Sequence, residues 1–163
     1  MTLHINLRPK KLLAIVLFGF SCIQSAQAQC NYSTIEKDGV TVKQFAPMPI
    51  GGNSSKQVAF SISNLSGKNL LMMTVRFRYS RTLTNKQIKI NFSNGKSLTL
   101  SALDSKNDFI GNSEVTHLKF NLSKSSENMF LEADIASVVL NGKEKINATM
   151  YQSYVSDNLN CLK

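Results

Sequence analysis

The segment LMMTVRFRY, residues 71–79, has the clearest strand pattern of the sequence. Every second side chain is large and apolar, from Leu71 to Tyr79, and this period of two is typical of a strand with one buried face. The same register turns Arg76 and Arg78 to the opposite face. The stretch therefore predicts a strand that buries its apolar side chains and directs two arginines outward.

The same alternation continues on both sides of this stretch. Apolar residues recur at every second position in four further segments, namely Val58 to Ile62, Ile88 to Phe92, Leu98 to Leu100 and Leu118 to Leu122. Asn94-Gly95 and Asn141-Gly142 are typical of hairpin turns, since both residue types tolerate positive φ. The central part of the chain therefore predicts half-buried strands joined by hairpins.

Two segments interrupt this strand pattern. Residues 46–55, APMPIGGNSS, are predicted to be a loop because proline and glycine punctuate them. They follow a short first strand that contains Val40 and Val42. A second, polar loop precedes Leu118 and contains Asp104 and Asp108.

The C-terminal part adds short helices to the predicted strands. Ser125-Ser126-Glu127 precedes Met129 and Phe130, a pattern that predicts a short helix with a serine cap. Residues 135–140 predict a further strand, and residues 153–162 predict a terminal helix turn. The predicted fold class is mainly β, an antiparallel sandwich or a curved sheet, with one or two short helices near the C-terminus.

Residues 1–28 are predicted to be a signal peptide. Basic residues precede the apolar run Leu12–Phe20, and Ala26-Gln27-Ala28 is an A-x-A cleavage pattern. The apolar run is about half the roughly 20 residues that a membrane-spanning helix needs. We therefore expect cleavage after Ala28, no later transmembrane segment, and a single exported β-rich domain, residues 29–163, in the periplasm or outside the cell.

Two cysteines remain after this cleavage, Cys30 and Cys161. In an oxidising compartment two such cysteines are expected to pair, and the disulfide would tie together the two ends of the exported domain. The alternative is lipidation of Cys30, but Gln29 stands where lipoprotein processing needs a small residue.

The positions of these cysteines are part of a wider layout. An early Cys-x-Tyr (Cys30, Tyr32) and a final Cys-Leu (Cys161, Leu162) enclose a predicted β meander, a short helix and a hairpin. This layout resembles that of small exported proteins of unknown role in Gram-negative bacteria. The resemblance implies no activity.

Positive charge is the main indication of a binding partner. Three basic residues and no acidic residue fall within residues 1–28, so the exported part has 16 basic and 10 acidic residues and a net charge of +6. Such a surface suits an acidic envelope protein or an anionic glycan or lipid. Export argues against nucleic acid as the partner.

Four cations define the candidate binding face. Each lies opposite the apolar positions of its strand, and together they are Arg76, Arg78, Lys89 and Lys119. They decorate one surface if their strands share a sheet, and arginine can hold carboxylate or phosphate with two hydrogen bonds. The alternative is an ordinary solvated face, since outward basic residues also keep antiparallel sheets soluble.

Candidate catalytic and metal-binding residues are few. His117 is the only histidine after residue 28, and without a G-x-S-x-G motif it is interpreted as a solvent-facing strand residue. Glu132 and Asp134 are the candidate carboxylate pair for hydrolysis. Asp104 and Asp108 begin an EF-hand-like spacing that the following residues do not continue. We therefore predict no metal site and no cofactor.

These observations favour a non-enzymatic exported binding module of the bacterial envelope, with the basic sheet face as its candidate site. A narrower alternative is a periplasmic immunity or inhibitor protein. The alternative from another class is a small hydrolase that uses carboxylates brought together by the fold.

Overall fold

The structure is a computed structural model that describes residues 30–37, 39–78 and 85–163. The predicted signal peptide, its cleavage after Ala28, and Tyr79 lie outside the described residues. In chain order the elements are β1 (Tyr32–Lys37), β2 (Val40–Phe45), β3 (Met48–Gly52), β4 (Lys56–Leu65), β5 (Lys68–Phe77), β6 (Gln87–Phe92), β7 (Ser97–Ser101), β8 (Asp104–Ile110), β9 (Ser113–Asn121), α1 (Lys124–Glu132), β10 (Ile135–Leu140), β11 (Glu144–Asn147) and α2 (Tyr154–Asn160).

The strands form two antiparallel sheets. Sheet A has seven strands in the order β1-β2-β4-β5-β9-β8, with β3 paired to β4. Sheet B has four strands in the order β11-β10-β6-β7. The predicted Asn-Gly turns join β6 to β7 and β10 to β11, and Gly95 and Gly142 have the positive φ values of 82° and 70° that such turns need.

Both sheets and both helices contribute to one hydrophobic core. Sheet A supplies one face that includes Phe60 and Met73, and sheet B supplies Ile90 and Val138. These side chains are fully buried because they occupy alternate positions of their strands. The mainly β fold, predicted from that alternation, and the predicted short helices near the C-terminus are confirmed.

Both helices pack buried side chains against this core. The hydroxyl of Ser123 accepts a hydrogen bond from the backbone N–H of Ser126 at 3.2 Å, so α1 begins with a serine cap. The cap lies earlier than predicted, because Ser125 and Ser126 are already inside the helix. Phe130 of α1 packs edge to face against Phe92 of sheet B, with ring centres 5.3 Å apart. None of the described helices is long and apolar enough to cross a membrane.

The predicted disulfide is present. Cys30 precedes β1 and Cys161 follows α2, and the two are bonded with their Cα atoms 5.6 Å apart. The bond closes a loop over a sequence separation of 131 residues.

The prediction that residues 46–55 form a loop is wrong in its centre, where β3 pairs with β4. Proline is tolerated here because β3 is at an edge and its register shifts between Pro49 and Gly51. The structure also adds β1, which pairs with β2 and was not predicted.

The polar loop predicted around Asp104 and Asp108 is also a strand. β8 pairs with β9 through seven register pairs, from Asp104 with Lys119 to Ile110 with Ser113. β8 lies at the edge of sheet A, and nearly all of its side chains are exposed, so its sequence lacks the apolar alternation of a half-buried strand. Backbone pairing with β9 holds it in the sheet.

Candidate functional site

The structure divides the four predicted cations between two sheets. Arg76 lies on β5 and Lys119 on β9, both in sheet A, whereas Lys89 lies on β6 in sheet B. The premise that their strands share one sheet is therefore wrong for Lys89. Alternation along β6 shows which side chains face the core, but it does not show which strands β6 will pair with.

Lys119 is also separated from the arginines. Its register partner on β5 is Met72, whereas Arg76 pairs with Val115, so the two cations are about 13 Å apart along the strand. Lys119 is half-buried and lies opposite Asp104 of β8, an acidic neighbour across the strand pair. The structure thus brings together Arg76 and Arg78, and it leaves Lys119 and Lys89 apart from them.

Arg76 and Arg78 line a cleft of about 480 Å³, named here the arginine cleft. The cleft lies between the β3–β4 turn, the end of β5 and the segment that follows β11. Its lining residues are Gly51, Gly52, Asn53, Ser54, Ser55, Lys56, Gln57, Arg76, Arg78, Ser113, Thr149 and Met150.

The β3–β4 turn that forms one wall is held by its own side chains. Asn53 Oδ1 accepts hydrogen bonds of 2.9 Å from the backbone N–H groups of Ser55 and Lys56, and another from the Ser55 hydroxyl. The backbone N–H of Arg78 donates to the carbonyl of Ser55 at 2.9 Å. This turn is therefore held against the end of β5, where Arg76 and Arg78 lie.

A second wall depends on close backbone approach. The carbonyl of Ile50 accepts hydrogen bonds from the N–H groups of Thr149 and Met150, at 2.9 and 3.1 Å. A Cβ atom on Gly51 would lie 2.1 Å from the carbonyl oxygen of Asn147, so only glycine fits at this position.

The charges of the cleft are unbalanced. Lys56 is buried, with its side chain 4% exposed, and its ammonium contacts the carboxylate of Glu144. The Arg76 and Arg78 side chains are exposed, and neither forms an ion pair with another described residue. None of the described lining residues is acidic. The described lining residues therefore carry an excess of two positive charges.

His117 lies on the outer face of sheet A, the face that also carries Arg76. It points away from the core as predicted, but it is half-buried rather than freely exposed. Its Nδ1 is 3.0 Å from the hydroxyl of Thr74 on β5. A histidine within hydrogen-bonding distance of a hydroxyl can act as a base that activates the hydroxyl as a nucleophile. However, neither residue lines the arginine cleft.

The candidate carboxylates occupy two different places. Glu132 and Asp134 line a shallow depression of about 290 Å³ at the end of α1. Glu132 is bonded to Lys96 at 2.7 Å, and both side chains are more than half exposed. Such a carboxylate lacks the apolar surroundings that keep a carboxyl group protonated and able to act as a general acid.

Asp104 and Asp108 lie on β8, away from that depression. The backbone N–H of Phe109 and then the ammonium of Lys106 lower the pKa of Asp108. The residues described contain no group of three or more histidine, cysteine or acidic side chains that could hold a metal ion.

No protein family model, curated protein or solved structure matches this chain. The resemblance to small exported proteins of Gram-negative bacteria therefore stays a prediction.

The sequence identified the arginines of the cleft but missed its other walls. Residues 51–55 belonged to the predicted loop, and the contact of Thr149 and Met150 with Ile50 joins distant parts of the chain. The sequence feature that indicates the β3–β4 turn is Asn53 after Gly51-Gly52, because asparagine side chains often hydrogen-bond to the backbone of tight turns.

Proposed function

We propose that this chain is a non-enzymatic, exported binding module of the bacterial envelope that recognises an anionic partner through the arginine cleft. The observation that carries the proposal is the pair of exposed guanidinium groups of Arg76 and Arg78, which form no ion pair with another described residue. They line a cleft whose described lining contains no acidic residue. Unpaired arginines in a concave site are suited to bidentate recognition of carboxylate or phosphate.

Export is supported by two features of the chain. Residues 1–28 have the basic, apolar and A-x-A parts of a signal peptide. The Cys30–Cys161 disulfide is of the kind that persists in oxidising compartments such as the periplasm.

Reversal of the arginine charges tests this proposal. Wild type, Arg76→Glu/Arg78→Glu and a matched control, Lys89→Glu/Lys145→Glu, are used to capture partners from an envelope extract. The control makes the same change in net charge on the exposed face of sheet B, where Lys89 and Lys145 both flank Val139.

The expected result is loss of the captured partner in the arginine variant alone. Capture by wild type should also weaken between about 0.05 M and about 0.5 M salt, because exposed charges are screened. Equal capture by all three proteins, or equal loss in both variants, would contradict a site at the arginine cleft.

A carboxylate-dependent hydrolase is the second candidate, because Glu132 and Asp134 line the same depression. It ranks lower because Lys96 already binds Glu132 and solvent reaches both carboxylates. Hydrolysis of a glycan substrate that disappears in Glu132→Gln and Asp134→Asn would reverse this order.

A further inference from the structure

We propose that the ligand of the arginine cleft is a phosphate monoester carried on a sugar. This inference rests on the proposed function and adds the chemical class of the ligand. It follows from the charge of the cleft, the polar groups around the arginines and the volume available.

The charge of the cleft matches a phosphate monoester. The ammonium of Lys56 is already neutralised by Glu144, so the excess charge is that of Arg76 and Arg78. A phosphate monoester carries a charge of about −1.5 to −2 at neutral pH, whereas a carboxylate would leave one guanidinium unmatched.

The spacing of the two arginines allows both guanidinium groups to reach the same phosphate group. Arg76 and Arg78 are two positions apart on one face of the chain, so their Cα atoms are about 7 Å apart. Each guanidinium can donate two parallel hydrogen bonds to phosphate oxygens. The hydrogen bond from the backbone N–H of Arg78 to the carbonyl of Ser55 holds the backbone of Arg78 against the turn before any ligand binds.

Uncommitted polar groups surround the arginines. The side chains of Ser54, Gln57, Ser113 and Thr149 line the cleft, and none forms a hydrogen bond with another described residue. Hydroxyl and amide groups of this kind complement the hydroxyls of a sugar. No aromatic side chain is found among the described lining residues, so they offer no surface on which a nucleobase would stack.

The size of the cleft agrees with a small ligand. Its volume of about 480 Å³ lies within the range of about 300–1,000 Å³ that is typical of small-molecule sites. An inorganic phosphate ion would reach the arginines but leave the surrounding hydroxyl and amide groups unused. We therefore expect the sugar to contribute to affinity.

Calorimetric titration of the disulfide-bonded protein with three probes tests the inference: glucose 1-phosphate, inorganic phosphate and glucose. We expect glucose 1-phosphate to bind most tightly and glucose not to bind detectably. Arg76→Ala and Arg78→Ala should each weaken the binding of glucose 1-phosphate at least about tenfold, as expected for hydrogen bonds to a charged group. The control Lys89→Ala/Lys145→Ala should bind as wild type does.

A further pair of variants tests the sugar contacts. Gln57→Ala and Ser113→Ala should weaken the binding of glucose 1-phosphate and leave that of inorganic phosphate unchanged. If inorganic phosphate binds as tightly as glucose 1-phosphate, or if the lysine control weakens binding as much as the arginine variants do, the inference is overturned.

The two proposals can fail separately. If no probe binds while envelope capture still depends on Arg76 and Arg78, the ligand class is wrong and the binding function stands. Vesicles with a phosphorylated sugar headgroup, compared with vesicles of phosphatidylglycerol, distinguish a membrane-borne source from a soluble one. Equal binding to both vesicles would contradict recognition of the sugar.

Discussion

The ammonium of Lys56, a lining residue of the arginine cleft, contacts the carboxylate of Glu144, and this contact joins sheet A to sheet B. The lysine side chain is 4% exposed and lies over the ring of Phe77, with 5.6 Å between Nζ and the ring centre, whereas Glu144 is 40% exposed. The pair therefore links the two sheets beside the cleft, and it leaves the two arginines as the charges available to a ligand.

Removing the carboxylate of this pair should destabilise the fold. We expect Glu144→Gln to lower the free energy of unfolding by about 2 kcal/mol, between the values typical of surface and buried pairs, because a buried ammonium loses its counter-charge. Urea unfolding measures the loss. Adding Lys56→Met to that variant should recover most of it, since no buried charge remains.

The exposed pair Lys96–Glu132 provides a matched control for that experiment. Glu132→Gln should change the free energy of unfolding by no more than about 0.5 kcal/mol. A similar loss in Glu132→Gln and Glu144→Gln would contradict a supporting role for the Lys56–Glu144 pair.

The disulfide should contribute strongly to stability. Cys30→Ser/Cys161→Ser is expected to lower the free energy of unfolding by about 4–5 kcal/mol, because an open chain gains more entropy on unfolding than a closed loop of this length. Urea unfolding with and without a reductant measures the effect. The reductant should shift the midpoint of wild type and leave that of the double-serine variant unchanged; an unshifted wild type would refute the prediction.

Gly51 should be the position of the cleft least tolerant of a side chain. Gly51→Ala places a Cβ against the carbonyl of Asn147 and is expected to cost about 1–3 kcal/mol of unfolding free energy, as overpacking usually does. Thermal unfolding compares it with Ser54→Ala, an exposed position on the same turn. Equal stability of the two variants would show that the backbones approach less closely than the structure indicates.

Tyr154 should make stability fall at high pH. Burial raises the pKa of Tyr154 to about 12, and its hydroxyl donates a hydrogen bond to the carbonyl of Ala46. In the unfolded chain tyrosine ionises near pH 10, so its contribution is complete below about pH 10 and is lost as the pH rises towards about 12. Unfolding free energies measured over this window should fall more steeply for wild type than for Tyr154→Phe. Parallel curves would contradict this linkage.

Local and non-local features explain what the sequence could predict. The alternation of Leu71 to Phe77 is local, and it correctly predicted β5 and the outward direction of Arg76. The pairing of Ile90 with Val138 depends on segments far apart in the chain, so the placement of Lys89 in sheet B could not be read from its own strand. β3 was missed because Pro49 and Gly51 are typical of turns, although an edge strand tolerates both.

The most direct test of a ligand site at the arginine cleft is an NMR titration with glucose 1-phosphate at low salt. Backbone N–H signals and arginine side-chain Nε–H signals are followed to saturation. We expect the largest shifts at Arg76, Arg78 and residues 52–57, with little change at Lys89 and Lys145. Shifts centred on those lysines, or no saturable change at the arginine cleft, would contradict it.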